Sequence, residues 1–330
     1  MPNLVLTNRC NRNCVYCFAA ENITKDQFNE ISFDNFKYVI NFLERSNYKK
    51  INLLGGEPTL HSRFAFFLGY VLARGFDTAV FSNGMASPET VARCEEVLQT
   101  SKYRHIRFCV NINEKQYRSD HEISLQHNFF QTLNSYISLS FNIYKPDWEY
   151  RFLVDTIREY GLKKQIRLGL ASPINGYDKA KNAYARPEHY RQIYSTICQL
   201  SDYAAIHGVT VNFDCGFPLC GFTDEELGRL YKNGVKFQFF CDTPIDIGTD
   251  LTTWNCFPLS AFHNKNLNEF KNLREVKEYY FQIFGDYRKN GLYRECDECD
   301  YKIRKTCSGG CLGHHYLKSN LSKMFSPQLS

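Results

Sequence analysis

No uninterrupted apolar stretch reaches about eighteen residues, the length at which a membrane-spanning helix becomes credible. The apolar opening Leu4-Val5-Leu6 is too short for a signal peptide, so no membrane location is expected. Charge of one sign is also missing as a block. The 40 basic and 35 acidic residues are spread along the chain to a formal net charge of +5, which offers no basic tract for nucleic acid, and no such partner is expected. None of the nine histidines falls in a recognisable motif, so no catalytic acid or base is named. His314 and His315 are expected at the surface.

Aromatic residues and cysteines are plentiful. A hydrophobic content of 43%, with 27 Phe and 22 Tyr among 330 residues, is ample for one large domain or one domain with an appendage. Fourteen cysteines in a chain without a secretory signal point to metal ligation rather than disulfides, in a soluble cytoplasmic protein. Three lie at the start and eight between Cys215 and Cys311. The isolated Cys94, Cys109 and Cys198 read as small buried hydrophobes.

Short apolar runs alternate with amphipathic segments from residue 4 to about residue 172. Strands are expected at Leu4–Thr7, Ile51–Leu54, Thr78–Ser82, Ile106–Asn111, Ser138–Ile143 and Ile166–Ala171. Helices are expected between them: one capped by Ser32, one closed by Gly75, one opened by Pro88, one near Leu125–Leu133, and one running from Pro146 to Gly161. Six such periods imply a parallel sheet, too short to close an eight-stranded barrel. The fold class is therefore α/β, with residues 1–186 as the strand-and-helix core and residues 187–330 as a small cysteine-rich domain. The latter opens on a helix from Pro187 to about Ile206 and a strand at Val209–Phe213.

The core begins with Cys10-Asn11-Arg12-Asn13-Cys14-Val15-Tyr16-Cys17 on a loop after the first strand. An odd number of cysteines suits no set of disulfides, and a tetrahedral zinc site wants a fourth ligand nearby. Three thiolates can hold three irons of a 4Fe-4S cluster and leave the fourth iron open. A zinc knuckle is the alternative. One strand later, Gly55-Gly56-Glu57-Pro58-Thr59 combines two glycines that permit close approach of a ligand with a carboxylate suited to an ammonium group; an ordinary turn is the other reading.

The spacing Cys10-x-x-x-Cys14-x-x-Cys17, with Tyr16 before the last cysteine and the Gly-Gly-Glu-Pro run after the next strand, resembles the signature of the radical S-adenosylmethionine (radical SAM) enzymes. The resemblance implies an open, partial (β/α)6 TIM-like barrel with its site at the carboxyl ends of the strands. It implies that Cys10, Cys14 and Cys17 hold a 4Fe-4S cluster whose open iron takes the amino and carboxylate groups of S-adenosylmethionine. Reductive cleavage then yields a 5'-deoxyadenosyl radical that abstracts a hydrogen atom from substrate. By the same resemblance Gly55, Gly56, Glu57 and Pro58 bind the methionine end, the backbone of Tyr16 contacts adenine, and polar residues at later strand ends, here Ser82, Asn111 and Asn142, hold ribose and carboxylate.

The carboxyl-terminal run Cys296-x-x-Cys299, seven residues, then Cys307-x-x-x-Cys311, preceded by Cys215, Cys220, Cys241 and Cys256, is similar to the SPASM extension of radical SAM enzymes, which implies one or two auxiliary 4Fe-4S clusters. The pattern departs from the family's, which has five residues between the second pair, a glycine where Leu251 stands and a further cysteine after the position of Cys311. One rearrangement lets Cys215 or Cys220 complete a second cluster; a four-thiolate zinc site is another solution.

The resemblance points to a peptide or protein substrate, matured by crosslinking, epimerisation or side-chain oxidation, and to an electron donor such as flavodoxin or ferredoxin. The chain starts at its first barrel strand, so a separate leader-binding protein is one expectation for recognition. A small-molecule substrate is the alternative within the enzyme class. A non-enzymatic metal-binding scaffold is the alternative outside it.

Overall fold

A computed structural model of the protein describes residues 1–21, 23, 29–102, 105–176 and 182–316. Strands β1 (Asn3–Val5), β2 (Lys50–Leu54), β3 (Asp77–Ser82), β4 (Ile106–Asn111), β5 (Ile137–Ile143), β6 (Gln165–Leu170) and β7 (Thr210–Phe213) pair side by side in chain order, all parallel. The crossovers are helices α1 (Phe33–Arg45), α2 (Phe64–Ala73), α3 (Pro88–Thr100), α4 (Asp120–Leu133), α5 (Arg151–Tyr160) and α6 (Tyr190–Ile206). Their apolar stripes meet one face of the sheet: Leu4, Leu53, Val80, Phe108, Leu139, Leu168 and Val211 share a single core with Phe36, Phe67, Leu98, Phe129, Ile157 and Ile197.

The alternate strand residues, among them Asn52, Phe81, Cys109, Ser140 and Arg167, face the other way. The Arg167 guanidinium on β6 lies 5.0 Å from the centre of the Phe81 ring on β3. Three strand spacings amount to about 14 Å in a flat sheet, so this contact reports the curl of a partial barrel. Strand ends and their loops gather at one rim of it.

After β7 the chain forms α7 (Asp224–Lys232), with a capping box between Thr223 and Glu226. It then crosses to the opposite edge, where β8 (Ile245–Ile247) pairs parallel with β1, and β9 (Thr252–Asn255) and β10 (Lys265–Asn266) follow antiparallel. Helices α8 (Leu273–Lys289) and α9 (Asp300–Ile303) follow. The ten-stranded sheet thus runs without a break across residue 186.

Three expectations are corrected. The helix expected from Pro146 begins at Arg151, because the preceding segment is held by side chains. The Trp148 ring packs on Phe141, Glu114 accepts the Glu149 amide at 2.9 Å, and Glu149 accepts the amides of Tyr150 and Arg151. The first strand ends at Val5 rather than Thr7, although its pairing carries on through the Leu6 amide to the Leu54 carbonyl. His314 and His315 are buried rather than exposed: His314 lies edge-on to Tyr184, and His315 Nε2 lies 3.0 Å from the Gly309 carbonyl. Among the described residues no helix is long and apolar enough to cross a membrane.

Candidate cofactor site at the strand ends

The cysteine loop lies directly on the glycine loop. Gly56 donates its amide to the Thr7 carbonyl at 2.8 Å, and Glu57 to the Arg9 carbonyl at 2.7 Å, which extends the pairing of β1 and β2 beyond both strands. A Cβ on Gly55 would stand 2.3 Å from the Thr7 oxygen, and one on Gly56 would stand 2.2 Å from the Arg9 oxygen. The glycines therefore admit the backbone that leads into the cysteines, a neighbour the sequence reading did not identify when it assigned that space to a ligand.

Glu57 is fully buried and saturated. Its Oε1 accepts from the Thr59 amide at 3.1 Å, the Thr59 hydroxyl at 2.7 Å and the Ser82 hydroxyl at 2.8 Å, and its Oε2 accepts from the Asn83 amide at 2.6 Å. Burial pushes its carboxyl upward, and these donors act in the opposite direction. Glu57 is thus a strut between the end of β2 and the end of β3, and Ser82 donates its hydroxyl to that strut. Pro58, also buried, opens the short helical turn that follows.

Tyr16, Asn111 and Asn142, named from sequence as site residues, form one chain of hydrogen bonds. Asn111 Nδ2 donates to the Tyr16 hydroxyl at 2.8 Å, and Asn142 Nδ2 donates to Asn111 Oδ1 at 3.3 Å. The Tyr16 hydroxyl donates to Asn113 Oδ1 at 2.5 Å, and its ring stacks on Tyr144 at 5.0 Å. Asn113 and Tyr144 belong to this cluster although the sequence reading did not select them; both follow strand ends, which was the available signal. Gly169 backs Asn142 so closely that a Cβ would meet its Oδ1 at 2.6 Å.

Cys10, Cys14 and Cys17 are half-buried around this cluster. Burial, followed by smaller effects that include the charges of neighbouring thiols, pushes Cys10 up to about 11 and Cys17 to about 12, and burial likewise raises Cys14. Three soft donors that resist ionising together would be stabilised as thiolates by a cationic metal centre. Among the described residues no three His, Cys, Asp or Glu side chains close on the geometry of a single ion; a four-iron cube is held through thiolates at separate corners. The donor chemistry thus fits a cluster.

Cys109 lies buried on the concave face beside Ser140 and Arg167, whereas Cys94 and Cys198 sit in the apolar core.

The eight carboxyl-terminal cysteines divide into two sets. Burial raises Cys220 to about 11, with Cys296, Cys307 and Cys299 supplying neighbouring charge. Cys215 is raised foremost by its hydrogen bond with Cys241, and Cys256 by burial and then by Cys311 and Cys215. A Cβ on Gly216 would stand 3.7 Å from the Cβ of Cys311, which places that cysteine beside Cys215. The backbone at Leu251, where a glycine was expected, has φ of 69°, so the left-handed turn persists without the glycine.

The family model of the Radical SAM superfamily matches residues 4–108, which span the cysteine loop, the glycine loop and β1 to β4. Residues 4–108 are thus a radical SAM domain. The chain's sequence is 37% identical over 83 residues to an S-adenosylmethionine-dependent nucleotide dehydratase of Selenomonas ruminantium, a match covering 25% of this chain and 29% of that protein. It is 34% identical over 89 residues to the mycofactocin maturase MftC of Mycolicibacterium smegmatis, covering 27% and 22%. The chain therefore spans under a third of either relative in the matched region. Its fold is similar to that of Streptococcus suis SuiB bound to S-adenosylmethionine, with a TM-score of 0.64 and 20% identity over 98% of this chain and 74% of that one. Against SuiB bound to its precursor peptide SuiA the TM-score is 0.65, with 18% identity, covering 99% and 73%.

Proposed function

We propose that the protein is a radical SAM enzyme that modifies a peptide or protein. The observation that carries this reading is the cysteine loop laid over Gly55 and Gly56 at the strand ends, three thiols beside a polar cluster of Tyr16, Asn111 and Asn142. Cys10, Cys14 and Cys17 would hold the 4Fe-4S cluster. That cluster, with S-adenosylmethionine bound, supplies one-electron reductive cleavage and hydrogen abstraction. The chain's own contribution is to hold the thiols against the strand ends through the Gly56 and Glu57 amides. It also offers the carbonyls of Gly55 and Gly56 to the methionine end, and the Tyr16 cluster to the nucleoside.

Residues 187–330 form the auxiliary domain in this reading. One set, Cys215, Cys241, Cys256 and Cys311, would hold one auxiliary cluster. The other, Cys296, Cys299 and Cys307 completed by Cys220, would hold a second, so Cys220 supplies the ligand expected after Cys311. The peptide substrate is supported by the likeness to SuiB, solved with a precursor peptide, and to a mycofactocin maturase. An external reductant of the flavodoxin or ferredoxin class, and a separate leader-binding protein, complete the proposal. Fourteen free cysteines suit the reducing cytoplasm. The similarity to a nucleotide dehydratase favours, as a second reading, a small nucleotide substrate.

The test is turnover. Anaerobically reconstituted protein given dithionite and S-adenosylmethionine is expected to release 5'-deoxyadenosine, and Cys14→Ala is expected to abolish this without unfolding the barrel. Absence of the product from the parent protein overturns the reading. Mass spectrometry of peptides encoded beside the gene, against nucleoside triphosphates as the second substrate class, separates the two readings.

A further inference from the structure

Arg12 stands between the first two cysteines, and its side chain enters the seam between the ends of β3 and β4. Its Nη1 donates to the Asn111 carbonyl at 2.9 Å and its Nη2 to the Asn83 carbonyl at 3.4 Å, while Nη2 also pairs with Glu122 on the first turn of α4. The two charged side chains are only 7% and 8% exposed, so this is a buried ion pair rather than a surface one. The residue before it repeats the pattern: Asn11 Nδ2 donates to the Met85 carbonyl at 3.0 Å and Asn11 Oδ1 accepts from Asn83 Nδ2 at 2.7 Å. Gln126, one turn beyond Glu122, donates to the same Asn83 carbonyl at 2.7 Å.

The two strand ends gripped by Arg12 are those that carry the site's polar groups. Asn83 gives its amide to Glu57, and Asn111 gives its side chain to Tyr16. One guanidinium therefore joins the loop that bears the thiols to both walls that face them. A buried bidentate cation with a single carboxylate partner is a rigid tie, because breaking it leaves a charge without compensation in a dry setting.

We propose that the Arg12–Glu122 pair is a positioning latch: it holds the cysteine loop in register with the ends of β3 and β4, and so sets how tightly the site takes S-adenosylmethionine. The cofactor half of this inference rests on the reading under Proposed function. The latch half concerns loop order alone and is measurable in the empty protein.

The experiment compares the parent protein with Arg12→Gln, Arg12→Lys, Glu122→Gln and the double variant Arg12→Gln/Glu122→Gln, which removes both charges and leaves neither orphaned. S-adenosylmethionine affinity of the anaerobically reconstituted proteins is read by equilibrium dialysis, and order of residues 9–18 in the empty proteins by amide hydrogen exchange. Each Gln variant is expected to weaken S-adenosylmethionine binding by about tenfold with unchanged iron content, and to speed exchange in the loop. The double variant should lose no more than either single one, since both report one interaction. Arg12→Lys should recover part of the loss. Affinities within about twofold of the parent together with unchanged exchange overturn the latch, and so does full additivity in the double variant. If the parent itself fails to bind S-adenosylmethionine, the functional reading falls, and loop exchange alone decides the latch: faster exchange in the variants supports it and unchanged exchange overturns it.

Discussion

Asp246 on β8 is fully buried; its Oδ1 accepts from Asn3 Nδ2 at 2.5 Å, and the Trp254 side chain also lies against the carboxyl. Burial pushes its carboxyl up to about 8, with the Asn3 and Trp254 hydrogen bonds acting the other way. A carboxyl raised on folding stabilises the fold fully below its unfolded range near 4, and that contribution is lost as pH rises toward 8. Asp246→Asn should therefore gain on the parent as pH rises from 5 to 8, visible as a widening difference in unfolding temperature; a constant difference would contradict the assignment. At this scale legibility followed chain distance. Asn111 and Asn142 were singled out because each sits at or near a strand end, and Tyr16 because it precedes the last cysteine of the loop. The Asn3–Asp246 pair and the Arg167–Asp214 pair join residues far apart in sequence and arise only once their neighbouring strands pair. His314 and His315 were misplaced because burial beside a glycine turn leaves no periodic signature.

The elements were the most legible part, since amphipathic stripes and caps are local. Ser32 accepts the third amide of its helix, as its position predicted, and Ser87 does the same ahead of Pro88. Thr223 does the same for α7 within a capping box, and Thr223→Ala should cost about 1 kcal/mol in chemical unfolding. The helix after Pro146 was misplaced because Glu114, supplied by a different loop, competes for its first turn. The glycine loop was recognised as special for a reason that proved incomplete, since contact between two backbones cannot be seen in either segment alone. Gly56→Ala places a methyl 2.2 Å from the Arg9 carbonyl and 3.0 Å from the Cys10 Cβ. It should destabilise the protein by about 1–3 kcal/mol and lower iron retention at the amino-terminal triad; normal stability and iron content would contradict that packing.

The whole molecule depends on two long returns of the chain: six crossovers that build the parallel sheet, and the passage from β7 back to the edge beside β1. The first was legible as a repeated period. The second was not, because three short strands of two to four residues carry no periodicity. The cysteine sets were hidden for a related reason. Spacing joins Cys307 to Cys311, but Gly309 and Gly310 lie between them with φ of 75° and 105° and turn the chain from one set to the other. Gly216 does the same between Cys215 and Cys220 with φ of 102°. The proposal predicts that Cys220→Ser lowers iron by about four atoms per chain and spares the other set; an unchanged iron count, or zinc in place of iron, would contradict it. The measurement that bears most directly on the amino-terminal triad is the electron paramagnetic resonance spectrum of the reduced, anaerobically prepared protein with and without S-adenosylmethionine. A cluster signal that shifts on adding the cofactor, and a shift lost in Cys14→Ala, is the predicted result; a spectrum indifferent to both the cofactor and the substitution would contradict the account.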